Sequence, residues 1–264
     1  MTQKIKFLPP ILFLGLFLVL ARALPLLPLQ DPLEMDLAQR FTPPGSDHLL
    51  GTDELGRDVL SRLVHGTATT LTVSTLVLVI SLAMGIILGG TAGYFHSSWF
   101  HKAFNWVVSL VFSLPFILIL ASILVIIKPG LFEVYFLFCL LIWVSPGRII
   151  RAEVVRNRKK DFIKVARAYG ISESSLLFKI LLPGCIHSGL LFSLGYFPEI
   201  IGLEAGLSFL GLGVPPPAPG LGKMVFDGLY YIHSAHWLSL FPALTIALLI
   251  FFLSLGYKRF FLKE

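Results

Sequence analysis

The chain has 264 residues, of which 56% are hydrophobic and 14% charged, and its mean hydropathy is +0.84. A water-soluble domain of this size cannot display so much apolar surface, so a soluble fold is excluded and lipid must cover much of the chain. The net charge of +6 is gathered in a few loops between apolar runs, which is a topology signal rather than a nucleic-acid surface.

Apolar runs near twenty residues fall at about 7–29, 68–93, 103–127, 131–147, 185–213 and 237–257. The chain therefore reads as an all-α integral membrane protein with about six transmembrane helices. Six crossings put both ends on one side. Fifteen Lys and Arg residues lie in the loops of that side, nine of them in 148–184, against five in the opposite loops. Cytoplasmic loops retain basic residues, so both termini are expected in the cytoplasm. The organisation expected is 1–30 for the N-terminal tail and first helix, 31–66 for an external loop, and 67–264 for a five-helix core.

The N-terminal stretch, with Lys4, Lys6 and Ala21-Arg22-Ala23, also resembles a cleavable secretory signal. The apolar run resumes from Leu24 to Leu29, however, and Arg22 lies roughly 22 Å along a helix begun at Phe7, close enough to the interface to snorkel. An uncleaved anchor is the better reading. The external loop contains Pro32, Pro43, Pro44 and Gly45, then Gly51 to Leu63, where Thr52 or Asp53 could cap a short amphipathic helix striped by Leu55, Val59, Leu60 and Leu63. Local pairing of Asp53, Arg57 and Asp58 would hold such an elbow, and a direct role in receiving substrate is the alternative.

In the second span Gly85, Gly89 and Gly93 form overlapping GxxxG spacings beside Gly90, a face through which another helix can approach closely. Pro115 and Pro198 each free a backbone carbonyl, so their helices should face protein or a watery cavity. Cys139 and Cys185 lie in or beside apolar runs and read as packing residues.

The loop from Arg148 to Pro183 is too polar to cross lipid yet is patterned as helix. Phe162, Val165, Ala166 and Tyr169 share one face, Lys160, Lys164 and Arg167 the other, and Gly170 ends the helix. A second helix can start at Ser172 and run through Leu176, Leu177, Ile180 and Leu181 to Pro183. Both would present apolar side chains that the chain itself has no means of burying. A partner is implied.

Intramembrane carboxylates are costly, about 2.5–3.5 kcal/mol on insertion scales, and tend to face a bundle interior or water. Glu199 and Glu204 lie five residues apart on the fifth span, about 140° around its axis, so one can line a pathway while the other pairs structurally. Ser208, one turn beyond Glu204, is a further pathway candidate, and Gly202 and Gly206 bring a neighbouring helix close. Glu133 reads as solvated near the outer surface, and His187 as an interfacial residue and not a metal ligand.

The chain has no phosphate cradle: Gly222-Lys223 approaches a P-loop ending, but Pro217 occupies the required first glycine and Met224 the Ser/Thr position. No GxSG or HExxH protease motif occurs. A secondary transporter driven by an ion gradient is the alternative, although no second copy of the 148–183 loop marks inverted halves.

The loop resembles that of the inner-membrane permease subunits of binding-protein-dependent ABC importers, whose signature is EAA, three residues, Gly, nine residues, then I-x-L-P. The frame falls on Lys164-Val165-Ala166, Gly170 and Ile180-Leu181-Leu182-Pro183, with Lys164 and Val165 replacing glutamate and alanine. Gly51 to Leu63 and the run Glu204 to Pro219 resemble the dipeptide, oligopeptide and nickel branch, in its second permease type.

The resemblance implies a type I importer permease fold with a cytoplasmic coupling-helix loop, in which Lys164, Val165, Ala166, Arg167, Gly170, Ile180 and Pro183 face an ATPase. It also implies half of a translocation pathway in the bacterial inner membrane, completed by a second homologous permease. Two ABC ATPase subunits would carry ATP and Mg, a periplasmic or lipid-anchored binding protein would deliver peptides or nickel, and this chain would bind no cofactor and catalyse nothing itself.

Overall fold

Inside hydrocarbon a helix is favoured because it closes its backbone hydrogen bonds within one segment, and the chain is built accordingly. The computed structural model describes residues 10, 12, 15–17, 19–127 and 131–261. Among them the only β pairing is an isolated bridge between Thr52 and Asp58. A first helical segment, α1, covers Gly15–Leu26. It is followed by α2 (Val59–Tyr94), α3 (Trp99–Ser113), α4 (Phe116–Ile127), α5 (Leu131–Ile142), α6 (Val144–Asn157), α7 (Asp161–Ala168) and α8 (Glu173–Ser175). A wide π turn over Leu176–Leu181 leads into α9 (Leu182–Phe209), and α10 (Leu221–Leu229) and α11 (Trp237–Phe261) complete the chain.

Among the described residues four stretches are long and apolar enough to cross a membrane: Val59–Tyr94, Val134–Asn157, Glu173–Phe209 and Trp237–Arg259. The expected span at 103–127 is divided, because α3 ends at Ser113 and α4 starts at Phe116, on either side of Pro115. Lys4, Lys6, Lys128 and Lys263 lie outside the described residues. Pro146 and Gly147 both sit in the first turn of α6, where proline's missing N–H leaves no bond unmade.

The chain forms two compact units. One is built chiefly from Val77–Ser122 and Tyr135–Tyr196, the other from Phe13–Leu76, Ile123–Val134 and Phe197–Glu264.

In the first unit α2 and α6 meet backbone to backbone. A Cβ on Gly85 would lie 2.8 Å from the Gly147 nitrogen, on Gly89 2.1 Å from the Gly147 carbonyl oxygen, and on Gly93 2.8 Å from that of Arg151. Gly90 is turned differently and meets the Leu182 side chain. Around this crossing Tyr94, Ile150, Val154, Ile163, Leu176, Leu177, Leu181 and Cys185 form one buried cluster, and Ala92, Phe104, Trp143 and Val144 a second.

In the second unit the segment before α2 is a polar elbow rather than the amphipathic surface helix expected. Gly56, at φ +74°, turns the chain so tightly that a Cβ there would meet the Asp36 carbonyl oxygen at 1.7 Å, a path no helix can follow. The Asp53 carboxylate accepts from the backbone N–H of Leu55 and Arg57 and pairs with Arg57 Nε at 2.7 Å and Arg62 Nε at 3.3 Å. His48 Nδ1 lies 3.0 Å from Asp58, and Trp237 donates its indole N–H to the Thr52 carbonyl. The neighbouring core comprises Val59, Met224, Ala235, Trp237 and Leu238.

The contact at Gly89 is against main chain, which cannot swing aside as a side-chain tip can. Gly89→Val should therefore destabilise the protein by at least about 1–3 kcal/mol, the usual cost of overpacking. Gly184→Ala, in a helix with nothing within 4 Å of the added carbon, should be neutral or stabilising by up to about 1 kcal/mol. Thermal unfolding of both variants in mild detergent checks the pair; equal melting temperatures would remove the backbone crossing as a determinant of stability.

Candidate functional site

The loop that drew attention in the sequence is a folded knob. Asp161 lies in the first turn of α7, where a carboxylate suits the helix dipole, and it pairs with Lys164 at 2.8 Å. The helix ends in a paired cap: Gly170, at φ +80°, donates to the Arg167 carbonyl at 3.0 Å, and Ile171 to that of Ala166 at 3.3 Å. Ser172 caps the next turn by accepting from the Ser175 N–H. The π turn that follows places the Leu182 N–H on the Leu177 carbonyl just before Pro183, which has no N–H to give.

The knob sorts its apolar residues into two sets. Ile163, Leu176, Leu177 and Leu181 are buried against Tyr94, Ile150 and Val154, with Ala166 and Ile180 packed on them partly buried. The expectation that the chain could not bury Leu176, Leu177 and Leu181 is therefore corrected: the end of α2 and the body of α6 cover them. The set left outside is Phe162 and Val165 of α7 and Tyr169 at its C-terminal cap, spaced three and four apart, with Phe178 beyond. Tyr169 is 84% exposed and Phe162 and Val165 about half. Lys164, Arg167, Gly170 and Pro183 are exposed as well.

A polar clip holds the knob to α2. Arg167 donates from Nε and Nη2 to both oxygens of Glu173, at 2.8 and 3.1 Å, and the Tyr94 hydroxyl donates to the same carboxylate. Arg158 donates to the Tyr94 carbonyl. The bond to Glu173, then that to Tyr94, holds the Arg167 guanidinium above its ordinary range, so it remains a cation. Neither Tyr94 nor Glu173 was picked out by sequence reasoning; they are 79 residues apart, and no local periodicity signals such a pair.

The second polar arrangement lies in the other unit. Glu204 is 1% exposed, with Ser208 Oγ donating to one carboxyl oxygen at 2.9 Å and Thr70 Oγ1 to the other at 3.1 Å. Among the described residues no basic side chain reaches it. The α9–α10 connection and the start of α10 close over this turn: a Cβ on Gly213 would lie 1.9 Å from the Ser208 oxygen, and one on Gly222 2.0 Å from the Ala205 carbonyl oxygen. Glu199 is instead exposed on α9. Gly202 packs on Ile250, whose Cδ1 is 3.6 Å from the added carbon. Thr70 had no sequence signal, being one of several Thr on the second span. Among the described residues no three His, Cys, Asp or Glu side chains converge as a metal site.

Comparison with known proteins places these features in context. Residues 81–261 match the family described as binding-protein-dependent transport system inner membrane component. A dipeptide transport system permease protein of Bacillus subtilis is 33% identical over 239 residues, covering 90% of this chain and 74% of that protein. A di/tripeptide transport system permease protein of Pseudomonas aeruginosa is 34% identical, over 90% of this chain and 80% of its own length. An oligopeptide transport system permease protein of Bacillus subtilis is 29% identical, over 91% and 79%.

Glu204 has the geometry of a polar link between α2 and α9, and its energetics should show it. Glu204→Leu leaves two buried hydroxyls without their acceptor and should cost about 1–3 kcal/mol. Thr70→Val combined with Glu204→Leu should cost less than the sum of the two, with a coupling of at least about 0.5 kcal/mol. A double-mutant cycle on thermal unfolding measures this, and strict additivity would show that the two residues do not act together.

Proposed function

Since the chain belongs to the binding-protein-dependent transport system inner membrane components, as a permease subunit of the ABC importer type, we propose that it forms half of a peptide pathway and takes its drive from a separate ATPase at the α7 knob. The carrying observation is the exposed set Phe162, Val165 and Tyr169 on a knob clipped to α2 through Arg167, Glu173 and Tyr94. A helix so anchored passes displacement to the membrane segment it is tied to, and its uncovered apolar face suits a groove on a partner. We assign ATP and Mg to two ATPase subunits, the other half of the pathway to a second homologous permease, and delivery of solute to an external binding protein. The substrate class follows the relatives, whose names specify dipeptides, tripeptides and oligopeptides.

The division of basic residues supports placement in a bacterial inner membrane with both termini and the α7 knob in the cytoplasm. Reporter fusions after Lys160 should then report cytoplasm and one after Pro217 periplasm; a periplasmic signal at Lys160 would reverse the topology and remove the knob from the ATPase. Glu199, exposed on α9, is the carboxylate we place on the pathway, where it would meet a peptide's ammonium group, while Glu204 and Ser208 hold its wall.

The coupling assignment is tested on residues that face outward. Ala166 packs on the knob's own core, so enlarging it would disturb the fold and the docking together. Val165→Asp and Tyr169→Asp leave that core untouched. Burying an apolar side chain of this size is worth about 1.5–3 kcal/mol, so each variant should lower ATPase co-purification or binding-protein-stimulated hydrolysis at least about tenfold, with pairing to the second permease unchanged. Wild-type coupling in both variants would move the docking surface elsewhere.

A further inference from the structure

We propose that a cavity between α1 and the beginning of α2 holds the headgroup of an aminophospholipid, its phosphate on Arg22 and its ammonium group on Thr69 and Thr72. The cavity measures about 540 Å³, within the usual range for small-ligand sites and far larger than a water needs. Its polar lining is Arg22, His65, Thr69 and Thr72, and its apolar walls include Ala21, Leu26 and Val73. Among the described residues no acidic side chain lines it, and Arg22 has no ion-pair partner among them. A guanidinium left uncompensated beside an apolar span calls for an anion with the planar oxygen pair that its fork of donors matches.

The hydroxyls define the other half of the ligand. Thr69 Oγ1 donates to the His65 carbonyl at 3.0 Å and Thr72 Oγ1 to that of Ala68 at 2.8 Å. Each hydroxyl has one proton and it is committed to backbone, so both oxygens can only accept. His65 Nδ1 lies 2.9 Å from the Ser61 carbonyl and so carries its proton there. A site with one strong cationic donor and two obligate acceptors fits a zwitterion whose cation bears N–H bonds. Phosphoethanolamine has that form, whereas a quaternary choline has no proton to offer.

Two observations favour lipid over a dissolved zwitterion such as a peptide. The apolar wall is itself open at Leu26, which is 82% exposed, and along the same segment α1 Leu16, Val19 and Leu20 are 52%, 64% and 40% exposed. The depth also agrees. The 36 residues of α2 span about 54 Å, well beyond a hydrocarbon core of about 30 Å, so the turn carrying His65 falls at headgroup level, with Thr69 and Thr72 one and two turns below it.

Native mass spectrometry of the chain purified with its assembled subunits tests this, using phosphatidylethanolamine and phosphatidylcholine of identical acyl chains. The wild type should retain phosphatidylethanolamine, Arg22→Ala should retain at least tenfold less, and Thr69→Val with Thr72→Val should abolish the preference over phosphatidylcholine. Photocrosslinking from p-benzoylphenylalanine in place of Leu26 should capture lipid. Equal retention by Arg22→Ala, equal binding of the two lipids by the wild type, displacement by free dialanine, or capture of a neighbouring polypeptide at Leu26 would each overturn the assignment. None of these readouts depends on transport or on the coupling role of α7.

Discussion

The contact of α2 with α6 at Gly147 is the constraint on which much of the first unit rests. Between helices in lipid there is little hydrophobic gain to be had, so association depends on close van der Waals fit and on internal satisfaction of polar groups. Gly85, Gly89 and Gly93 supply the fit by removing every Cβ on one stripe of α2. With the backbones in contact, Ile150 and Val154 of α6 come beside Tyr94 at the end of α2. The same proximity lets Arg158 reach the Tyr94 carbonyl and brings Tyr94 to Glu173. The knob is thus seated by the helix crossing above it, and its apolar interior is completed by residues distant in sequence.

How far this was legible in the sequence follows from the range of each interaction. The end of α7 at Gly170, the Ser172 cap and the interruption at Pro115 are local: a positive φ, a side-chain acceptor and a missing N–H act within one turn. The small-residue stripe was legible because removing a Cβ every fourth residue serves close approach whatever the partner. The partner itself was not, and neither were Thr70 for Glu204 nor Tyr94 for Glu173, since helical periodicity marks a face without saying what meets it. The division of the knob's leucines was misread for the same reason. Leu176, Leu177 and Leu181 have the spacing of an exposed amphipathic face, and only the presence of α6 makes that face internal.

The elbow before α2 shows the complementary case, in which charges and not apolar area dictate the path. Asp53, Arg57, Asp58 and Arg62 are each less than a tenth exposed. Buried charges are tolerated only when paired and hydrogen-bonded, and removing one partner leaves the rest uncompensated at a cost of about 3–5 kcal/mol. Here Asp53 serves two arginines and two backbone N–H groups. Such a network fixes one geometry at the entrance to α2. The sequence displayed the charges, and the helical pattern of Leu55, Val59, Leu60 and Leu63 argued for a surface helix, but the tight approach at Gly56 to Asp36 decided against it.

The replacement of glutamate and alanine by Lys164 and Val165 bears on how the α7 knob would engage a partner. Lys164 is paired with Asp161, but the two side chains are 68% and 90% exposed, and an ion pair so open to solvent contributes about 0–1 kcal/mol. Covering Phe162, Val165 and Tyr169 offers about 1.5–3 kcal/mol for each side chain fully buried. The apolar set therefore outweighs the Lys164–Asp161 pair, and the docking proposed for this knob rests on apolar burial. The exchange alters the partner it would suit: Val165 adds apolar contact where alanine would add little, and Lys164 places a cation where the family pattern has an anion. A groove complementary to this chain would be apolar at its centre and acidic at the rim that faces Lys164.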